Sequence, residues 1–248
     1  MAHQLRVSSN ENTLASDIDL ETPEIKDARI DLAACFRMAA QLGLNEGIDN
    51  HFSALVPGHD NLFFVNPYGL SFAEVTASSL LICDFKGNVI CGNGYPEATA
   101  FYIHAKIHEL LPRASVAFHT HMPYATALCM VEGDPLAWAG QSALKFYGRV
   151  AIDENYNGLA LDSGEGARIA AVAGNADIVF MRNHGVLVLA PTLGQAFDDL
   201  YYLERAAQAQ VIALSTGRRL LPVSPALAEA TGEQFRSGDA ESGRLHLA

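Results

Sequence analysis

Cysteine is scarce in this sequence, and none of it is paired by spacing. The four cysteines are widely separated and form no Cys-x-x-Cys pair, which excludes the usual sequence signature of a zinc ribbon or a dithiol redox site: Cys35, Cys83, Cys91 and Cys129. A chain of 248 residues can bury a core without disulfide bonds. We therefore expect four reduced cysteines that belong to the core.

Basic residues are also few. Sixteen lysines and arginines stand against 28 acidic residues, which gives a formal charge of −12, and no basic stripe runs along the chain. This balance argues against a nucleic-acid partner and against an anionic membrane surface. We expect a small-molecule partner, and an anionic one would need local positive charge of the kind that a bound metal supplies.

Long apolar runs are absent. Half of the residues are hydrophobic, but charge, glycine or proline breaks every run well short of the length of a membrane span. The first residues lack the basic-then-apolar order of a signal peptide. We expect a soluble, cytoplasmic protein with an N-terminal tail at residues 1–21, one domain at 22–219 and a C-terminal tail at 220–248.

The first half of that domain is predicted to be a helix followed by an antiparallel meander and a second helix. Thr22 and Pro23 are typical of a helix start, and Gly43 of its end. Pro-Gly, Pro-Tyr-Gly and Lys-Gly turns separate four short strand candidates. The strand candidates are Phe52–Val56, Asn61–Val65, Leu80–Asp84 and Asn88–Cys91, and the second helix covers Ala98–Leu111.

The second half contains two further strands joined by a turn, with helices on either side. Asp162-x-x-Glu165 is typical of a capping box, so we expect a helix from there to about Gly174. A hairpin over 177–189 and a long helix over 192–215 follow. The region after Leu220 is rich in Pro, Ala, Gly, Ser and Glu, and we predict that it is weakly ordered.

Three histidines stand where these strands end. His119 and His121 follow the apolar residues 116–118, and side chains two apart in a strand project to the same face. His184 lies in an Asn-His-Gly turn between two apolar runs. Three imidazoles at strand ends would chelate a metal and leave coordination positions open, which is the arrangement of a catalytic site.

The remaining polar candidates each have a plain structural explanation. His104 could be a helix histidine bonded to a nearby carbonyl, and Asn50 with His51 could form an ordinary turn. Glu97 reads as an exposed loop carboxylate. No motif surrounds the other histidines, which we predict to be surface residues: His59, His108 and His246.

Four motifs together resemble the class II aldolase and adducin head-domain family over residues 22–219. They are Gly-Ile-Asp-Asn-His-Phe-Ser (47–53), Asn-Pro-Tyr-Gly-Leu (66–70), His-Thr-His-x-Pro-Tyr-Ala (119–125) and Arg-Asn-His-Gly (182–185). The resemblance implies an α/β (α+β) fold, with a central, mostly antiparallel sheet between helices in αβα layers. It also assigns one divalent metal to His119, His121 and His184, and it implies a homotetramer with sites between subunits.

Two departures from the family pattern bear on function. The sugar-phosphate aldolases of the family carry a catalytic glutamate where this chain has Ala100, and Glu97 is the nearest replacement. Their phosphate-binding loops appear here with the bulky residues His51 and Tyr68. Flat faces with polar tips at His51, Tyr68 and Tyr124 suit an unphosphorylated planar ligand better than a sugar phosphate.

These departures favour the family's metal-dependent decarboxylases of hydroxy-aromatic dicarboxylates, including the pyridine dicarboxylate type, and a role in aromatic compound catabolism. A carboxylate substrate would bind the metal, and the reaction would be a carboxy-lyase reaction. The resemblance favours Mn²⁺, while three imidazoles also accept Zn²⁺, Fe²⁺ or Co²⁺. The predicted site residues are His51, His104, Tyr68 and Glu97 for catalysis, and Asn50, Ser53 and Tyr124 for substrate binding.

Three alternatives stay open. The first is a class II aldolase acting on an unphosphorylated hydroxy-keto acid, which would need a base such as Glu97 near the metal. The second is a non-haem iron oxygenase on an aromatic acid, which would consume oxygen. The third is a non-catalytic, adducin-like assembly module, which the retention of all three histidines disfavours.

Overall fold

The computed structural model describes residues 19–248. In chain order the elements are α1 (Pro23–Leu42), β1 (His51–Leu55), β2 (Leu62–Val65), a short 3₁₀ helix (Phe72–Glu74), β3 (Leu81–Asp84), β4 (Val89–Cys91), α2 (Ala98–Leu110), β5 (Val116–Thr120), α3 (Pro123–Cys129), α4 (Gln141–Leu144), β6 (Val150–Asp153), α5 (Ser163–Ala173), β7 (Ile178–Met181), β8 (Val186–Ala190), α6 (Leu193–Ser215) and α7 (Pro225–Leu247).

The eight strands form one sheet in the order β4-β3-β2-β1-β5-β8-β7-β6. Every neighbouring pair is antiparallel except β6 and β7, which run parallel. The predicted meander β1 to β4 is confirmed, as is the mixed α/β class with a mostly antiparallel sheet. Pairing of β1 with β5 sets His51 directly opposite His119, which places two of the candidate residues side by side.

Successive strand residues point to opposite sides of the sheet, and both sides carry buried apolar side chains. Helices therefore cover both faces of the sheet. On one face Phe52 and Phe118 join a large core that includes Phe36 of α1 and Phe197 of α6. On the other face smaller clusters pack against α2 and α5. His51 and His119 alternate with Phe52 and Phe118, so their side chains lie on the face that α2 and α5 cover.

The helix-start and helix-end signals in the sequence act as predicted. The Thr22 hydroxyl accepts a hydrogen bond from the Ile25 amide, and Gly43 ends α1 with φ +67°, a conformation that glycine adopts without a steric penalty. Asp162 caps α5 by accepting from the amides of Gly164 and Glu165. The four cysteines are free, as expected, and all but Cys91 are buried.

The weak order predicted for residues 220–248 is wrong. The segment contains the 23-residue helix α7, whose start carries the capping Ser224 and Pro225 at its first turn. Its small residues allow close packing on α6: a Cβ added to Gly243 would lie 2.6 Å from the Gln195 amide nitrogen. The small residues whose abundance suggested disorder therefore form the surface of α7 that contacts α6.

Besides the 3₁₀ helix, three further elements were not predicted, namely α3, α4 and β6. They are short, four to seven residues each, and tertiary packing rather than a local sequence pattern defines elements of this length. The predicted N-terminal tail lies outside the described residues except for 19–21. Among the helices of residues 19–248, none is both long and apolar enough to cross a membrane.

Candidate functional site

Three histidines meet at one end of the strands β5, β7 and β8. His119 is in β5, His121 follows it, and His184 lies in the turn between β7 and β8. Their ring centroids are 4.7 to 5.1 Å apart. One nitrogen from each ring lies within 4.8 Å of the other two. The three imidazoles can therefore offer nitrogen atoms to one ion.

Hydrogen bonds fix the orientation of two of these rings. Nδ1 of His119 lies 2.9 Å from the Val186 carbonyl oxygen, and Nδ1 of His121 lies 2.8 Å from Oε2 of Glu46. Donation from Nδ1 leaves the lone pair on Nε2, which is how metal-binding histidines are commonly held. Nε2 of His121 is buried and has no hydrogen-bond partner. This donor set fits a divalent metal ion.

The turn that carries His184 depends on its glycine. Asn183 has φ +54°, and its amide donates to the Cys129 carbonyl over 3.1 Å. A Cβ on Gly185 would lie 2.6 Å from Cδ2 of His121 and 2.6 Å from the Thr120 carbonyl oxygen. Glycine in the Asn-His-Gly motif therefore lets the turn at 183–185 approach the backbone at Thr120 closely. This approach brings His184 beside His121.

Burial keeps two of these imidazoles, His119 and His184, neutral. It lowers the pKa of His119 well below its ordinary value, and the neighbouring histidines His184 and His121 lower it further. Burial also lowers the pKa of His184 to about 4. Because a metal binds the neutral form of imidazole, no proton has to be displaced from these two rings at pH 7.

The three histidines form part of the wall of a cavity of about 500 Å³. Two tyrosines, Tyr68 and Tyr95, face each other at a centroid distance of 6.2 Å. No lysine or arginine is among the lining residues of the described chain. The other lining residues are Asp49, Pro96, Glu97, Ala98, Thr99, Ile103, Leu159 and Leu161.

Glu97 lies in this cavity, so its description as an exposed loop carboxylate is wrong. Its side chain is 21% exposed and caps α2: Oε2 accepts from the Ala100 amide over 2.9 Å and from the Thr99 hydroxyl. The same oxygen is 3.7 Å from Nε2 of His51. The cap thus holds a carboxylate in the cavity three residues before Ala100. Ala100 is the position at which the family pattern has its glutamate.

His51 is buried between Glu97 and the metal ligands. Its ring stacks on His119 at a centroid distance of 5.8 Å, and neither ring nitrogen has a hydrogen-bond partner. Burial, with the neighbouring His121 and His184, lowers its pKa to about 3. His51 is therefore a neutral, buried imidazole beside the Glu97 carboxylate and outside the cavity lining.

Ser53 and His104 are enclosed rather than open to a substrate. Oγ of Ser53 lies 2.5 Å from Nδ1 of His104 and 2.7 Å from Nε2 of His108, and His108 Nδ1 lies 2.9 Å from the Ala114 carbonyl. Nδ1 of His108 donates to that carbonyl, so Nε2 of His108 accepts a hydrogen bond from the Ser53 hydroxyl. Nδ1 of His104 in turn donates a hydrogen bond to the Ser53 oxygen. Ser53 is thus held within the fold by two histidines, and the predicted surface position of His108 is wrong.

Asn50 and Tyr124 also differ from their predicted substrate contacts. The Asn50 side-chain oxygen accepts from the amides of Glu46 and His121, over 2.7 and 3.2 Å, and Asn50 is fully buried. Tyr124 packs against the large core on the other face of the sheet and does not line the cavity. Asn50 therefore positions the backbone at His121, while Tyr124 belongs to the start of α3.

Of the remaining surface predictions, His59 is partly exposed and His246 is not a simple surface residue. His246 is half-buried on α7, with Nδ1 2.8 Å from Oδ1 of Asp198. The histidine bonds α7 to α6. A sequence without the position of α7 gives no sign of this contact.

Sequence reasoning missed Glu46, Tyr95 and the two leucines of the cavity. Glu46 had a usable signal. In an antiparallel pair, the segment before β1 lies beside the segment after β5, so residues just before His51 adjoin His121. Leu159 and Leu161 had none, because the loop between β6 and α5 reaches the cavity only through the tertiary fold.

Comparison with known proteins agrees with the fold. The chain matches the Class II Aldolase and Adducin N-terminal domain family over residues 30–211. A Caulobacter vibrioides protein of the class 2 aldolase type is 36% identical over 82% of this chain and 78% of its own length. The crystal structure of an aldolase II superfamily protein from Pseudomonas syringae is 31% identical, with a TM-score of 0.84 over 91% of this chain and 92% of that one.

Two other relatives differ in the activities that their names give. L-fuculose 1-phosphate aldolase from Glaciozyma antarctica is 26% identical, with a TM-score of 0.78 over 89% of this chain and 88% of that one. A Streptomyces roseochromogenus protein named 4-hydroxy-3-prenylphenylpyruvate oxygenase/4-hydroxy-3-prenylbenzoate synthase is 27% identical over 83% of this chain and 74% of its own. The chain belongs to the class II aldolase and adducin N-terminal domain family.

Proposed function

We propose that this protein is a metal-dependent lyase that decarboxylates an unphosphorylated hydroxy-aromatic or conjugated hydroxy carboxylate. Enzymes of its family are generally metal-dependent lyases. The observation that carries the proposal is the composition of one cavity: three oriented imidazoles, two tyrosines and a carboxylate, with no lysine or arginine in the described lining.

His119, His121 and His184 would hold one divalent ion, which we propose to be Mn²⁺ from the resemblance to the pyridine dicarboxylate type of decarboxylase. When bound, the ion supplies positive charge and Lewis acidity to a substrate carboxylate and its neighbouring oxygen. Glu46 and the Val186 carbonyl keep His121 and His119 in the orientation that this binding needs.

The charges in the cavity support an unphosphorylated substrate. A phosphate group would bring about two negative charges beside the acidic residues Asp49 and Glu97 with no lysine or arginine to pair with. A planar ring would instead find the faces of Tyr68 and Tyr95. The cavity therefore suits a ring bearing a carboxylate better than a sugar phosphate.

Decarboxylation needs a proton donor at the carbon that loses its carboxylate. The bonding electron pair stays on that carbon when carbon dioxide leaves, and a proton then replaces the lost group. Of the residues predicted for catalysis, Tyr68 and Glu97 line the cavity, whereas His51 does not and His104 is enclosed with Ser53. We assign proton donation to the Tyr68 hydroxyl, and the Glu97 carboxylate in the same cavity acts as the proton acceptor. His51 lies 3.7 Å from Glu97 without a hydrogen bond to it.

The structure favours one rival strongly enough to test. A base near the metal ligands is what aldol cleavage of a hydroxy-keto acid requires, and Glu97 lies in the same cavity as the three histidines. The second rival, an iron oxygenase on an aromatic acid, is supported by the name of the Streptomyces relative. The third alternative, a non-catalytic assembly module, gives no reason for the oriented ring of His121 whose Nε2 has no partner.

The test separates these reactions by their products. Protein loaded with Mn²⁺, Zn²⁺ or Fe²⁺ is assayed with hydroxy-aromatic carboxylates for carbon dioxide, with hydroxy-keto acids for aldehyde, and for oxygen uptake. We expect carbon dioxide equal to the acid consumed and no oxygen uptake. Glu97→Gln, which retains the cap, should lower kcat about 10² to 10⁴-fold, while the exposed control Glu132→Gln retains wild-type turnover.

An aldehyde product, or oxygen uptake that depends on ferrous iron, would replace the proposed reaction with the corresponding rival. We also propose that the chain assembles as a cytoplasmic homotetramer, as the resemblance implies. Light scattering of the eluting protein should give about four times the mass of 26.6 kDa for one chain. A monomer mass at assay concentration would contradict the assembly without affecting the reaction.

A further inference from the structure

Two leucines at the mouth of the cavity have no partner in the fold. Leu159 is 72% exposed and Leu161 is 47% exposed, and both line the cavity that holds the three histidines. They belong to the loop of residues 154–161, which joins β6 to α5. A single exposed leucine is ordinary, but two that face the same ligand cavity form an apolar surface that a ligand could cover.

The loop holds these leucines in place. Ala160, between them, is buried against α2 and α5. Asn157 Nδ2 donates to Glu165 over 3.1 Å, and Arg168 binds both the Asn155 carbonyl, over 3.3 Å, and the carboxylate of Asp153, over 2.6 Å. Since both ends and the centre of the loop are attached, the leucine side chains are presented by a fixed backbone.

The rest of the cavity continues this surface. Tyr68, Tyr95 and Ile103 add three more apolar faces, whereas the histidines and Glu97 supply the polar groups. A cavity of roughly 150 Å³ holds a benzene ring, and this one measures about 500 Å³. A single-ring hydroxy acid would therefore leave a large part of the cavity empty.

We propose that Leu159 and Leu161, together with Tyr68 and Tyr95, form a subsite for an apolar substituent. The substrate class is then an aromatic hydroxy acid that carries an alkyl chain. This inference rests on the proposed function for the end of the cavity that takes the carboxylate. It adds a part of the substrate that the metal site and the missing phosphate contacts do not specify.

The experiment measures affinity against chain length. Calorimetry with metal-loaded full-length protein gives the Kd of 4-hydroxybenzoate and of its 3-methyl, 3-ethyl and 3-propyl derivatives. We expect about fourfold tighter binding for each buried methylene. Leu159→Ser and Leu161→Ser should each flatten this dependence, while Leu221→Ser, an 87% exposed leucine outside the cavity, should retain it.

Three results would overturn the subsite: equal affinity across the series in wild type, equal flattening by Leu221→Ser, or binding of none of the acids. A change of oligomeric state in Leu159→Ser with the chain-length dependence intact would overturn it too, because the leucines would then be subunit contacts. Graded, leucine-dependent binding without carbon dioxide release would support the subsite and reject the proposed decarboxylation, so the two failures are distinguishable.

Discussion

Two clusters of buried polar groups in this protein differ in how completely the chain satisfies them. Around Lys145, which is 3% exposed, Nζ lies 2.6 to 3.1 Å from carboxylate oxygens of Asp239, Asp198 and Asp199. Arg149 pairs with Asp177 and Asp199 in the same cluster. In the histidine cluster, by contrast, Nε2 of His121 has no partner. Most buried polar groups of a fold are hydrogen-bonded, and an unpaired imidazole nitrogen beside two other histidines in a cavity is a candidate ligand-binding atom.

The two clusters also differ in charge. Burial would lower the pKa of Lys145, but Asp199 and the other carboxylates outweigh it, so the pKa is raised and the lysine stays charged. In the histidine cluster burial prevails, and the pKa of His184 falls to about 4. One cluster is a network of paired ions that joins α4, α6 and α7. In the other, burial keeps His119 and His184 as neutral donors.

The largest effect is expected when the paired network is broken. Lys145→Met leaves the buried Asp198 and Asp199 and the partly buried Asp239 short of a cation, and we expect the free energy of unfolding to fall by about 3 to 5 kcal/mol. Metal content of the folded variant should equal that of wild type, because the network is not part of the site. Urea unfolding measures the first quantity and elemental mass spectrometry the second.

The matched control is Lys106→Met. Its partner Glu109 is three residues away on the exposed side of α2, and such pairs contribute about 1 kcal/mol or less. Equal losses of unfolding free energy for the two lysine variants would show that the buried network stabilises the fold no more than an exposed ion pair does.

A smaller effect is expected from the turn at the metal site. Gly185→Ala adds a methyl group 2.6 Å from the His121 ring, so the ring or the turn must shift. We expect weaker metal binding by at least about tenfold and a loss of stability of about 1 to 3 kcal/mol. Competition with a chromogenic chelator measures the metal Kd.

Gly238→Ala is the control for this substitution. Gly238 lies within α7 with no atom near an added Cβ, so alanine should stabilise the protein by up to about 1 kcal/mol through helix propensity. Unaltered metal affinity in Gly185→Ala would show that the metal site does not depend on the close approach that Gly185 allows.

The buried histidines should make the metal-free protein sensitive to acid. Burial lowers the pKa of His108 to about 4 from an ordinary value of 6.5. Below pH 6.5 the unfolded chain takes up a proton that the folded chain does not, so stability falls as the pH drops from 6.5 to about 4. The contribution of His108 is about 1.4 kcal/mol per pH unit.

Denaturant unfolding at several pH values checks this sign and size. His108→Gln should show a shallower loss of stability toward low pH than wild type, and His59→Gln, on a partly exposed loop, should follow wild type. A variant at His108 with the wild-type slope would mean that this histidine is already protonated in the fold.

The smallest effect belongs to Glu46. Its carboxylate accepts from His121 Nδ1 over 2.8 Å but is 70% exposed, so solvent screens much of its charge. We expect Glu46→Gln to weaken metal binding by about tenfold, the low end for such contacts. The exposed acid Glu132, mutated to glutamine, should leave the metal Kd unchanged. No change in either variant would show that His121 needs no partner.

Much of the fold could be predicted because local signals agree with one another. Thr22 and Gly43 bound α1, and alternation with turn residues marked the first four strands and the hairpin of β7 and β8. The error at α7 has a physical cause: its glycines and alanines are unfavourable or uninformative locally, and only contact with Gly194 of α6 gives Gly243 a purpose. Sequence composition contains no record of that partner.

The candidate site could be predicted in part for the same reason. His119 and His121 follow from the period of one strand, and the strands' shared end places His184 beside them. The roles of Ser53 and His108 could not be inferred, because they depend on which face of α2 meets β1. Nor could the position of Leu159, since a loop of 154–161 has no periodicity from which to predict its direction.

The most direct test of the central claim, that His119, His121 and His184 form a metal site, is the metal content of protein purified without an affinity tag or chelator. Elemental mass spectrometry should find about one equivalent of Mn, Zn or Fe per wild-type chain and none in His184→Ala. His59→Ala, remote from the cavity lining, should retain the wild-type amount. No metal in wild type even after soaking, or equal metal in His184→Ala, would contradict the account.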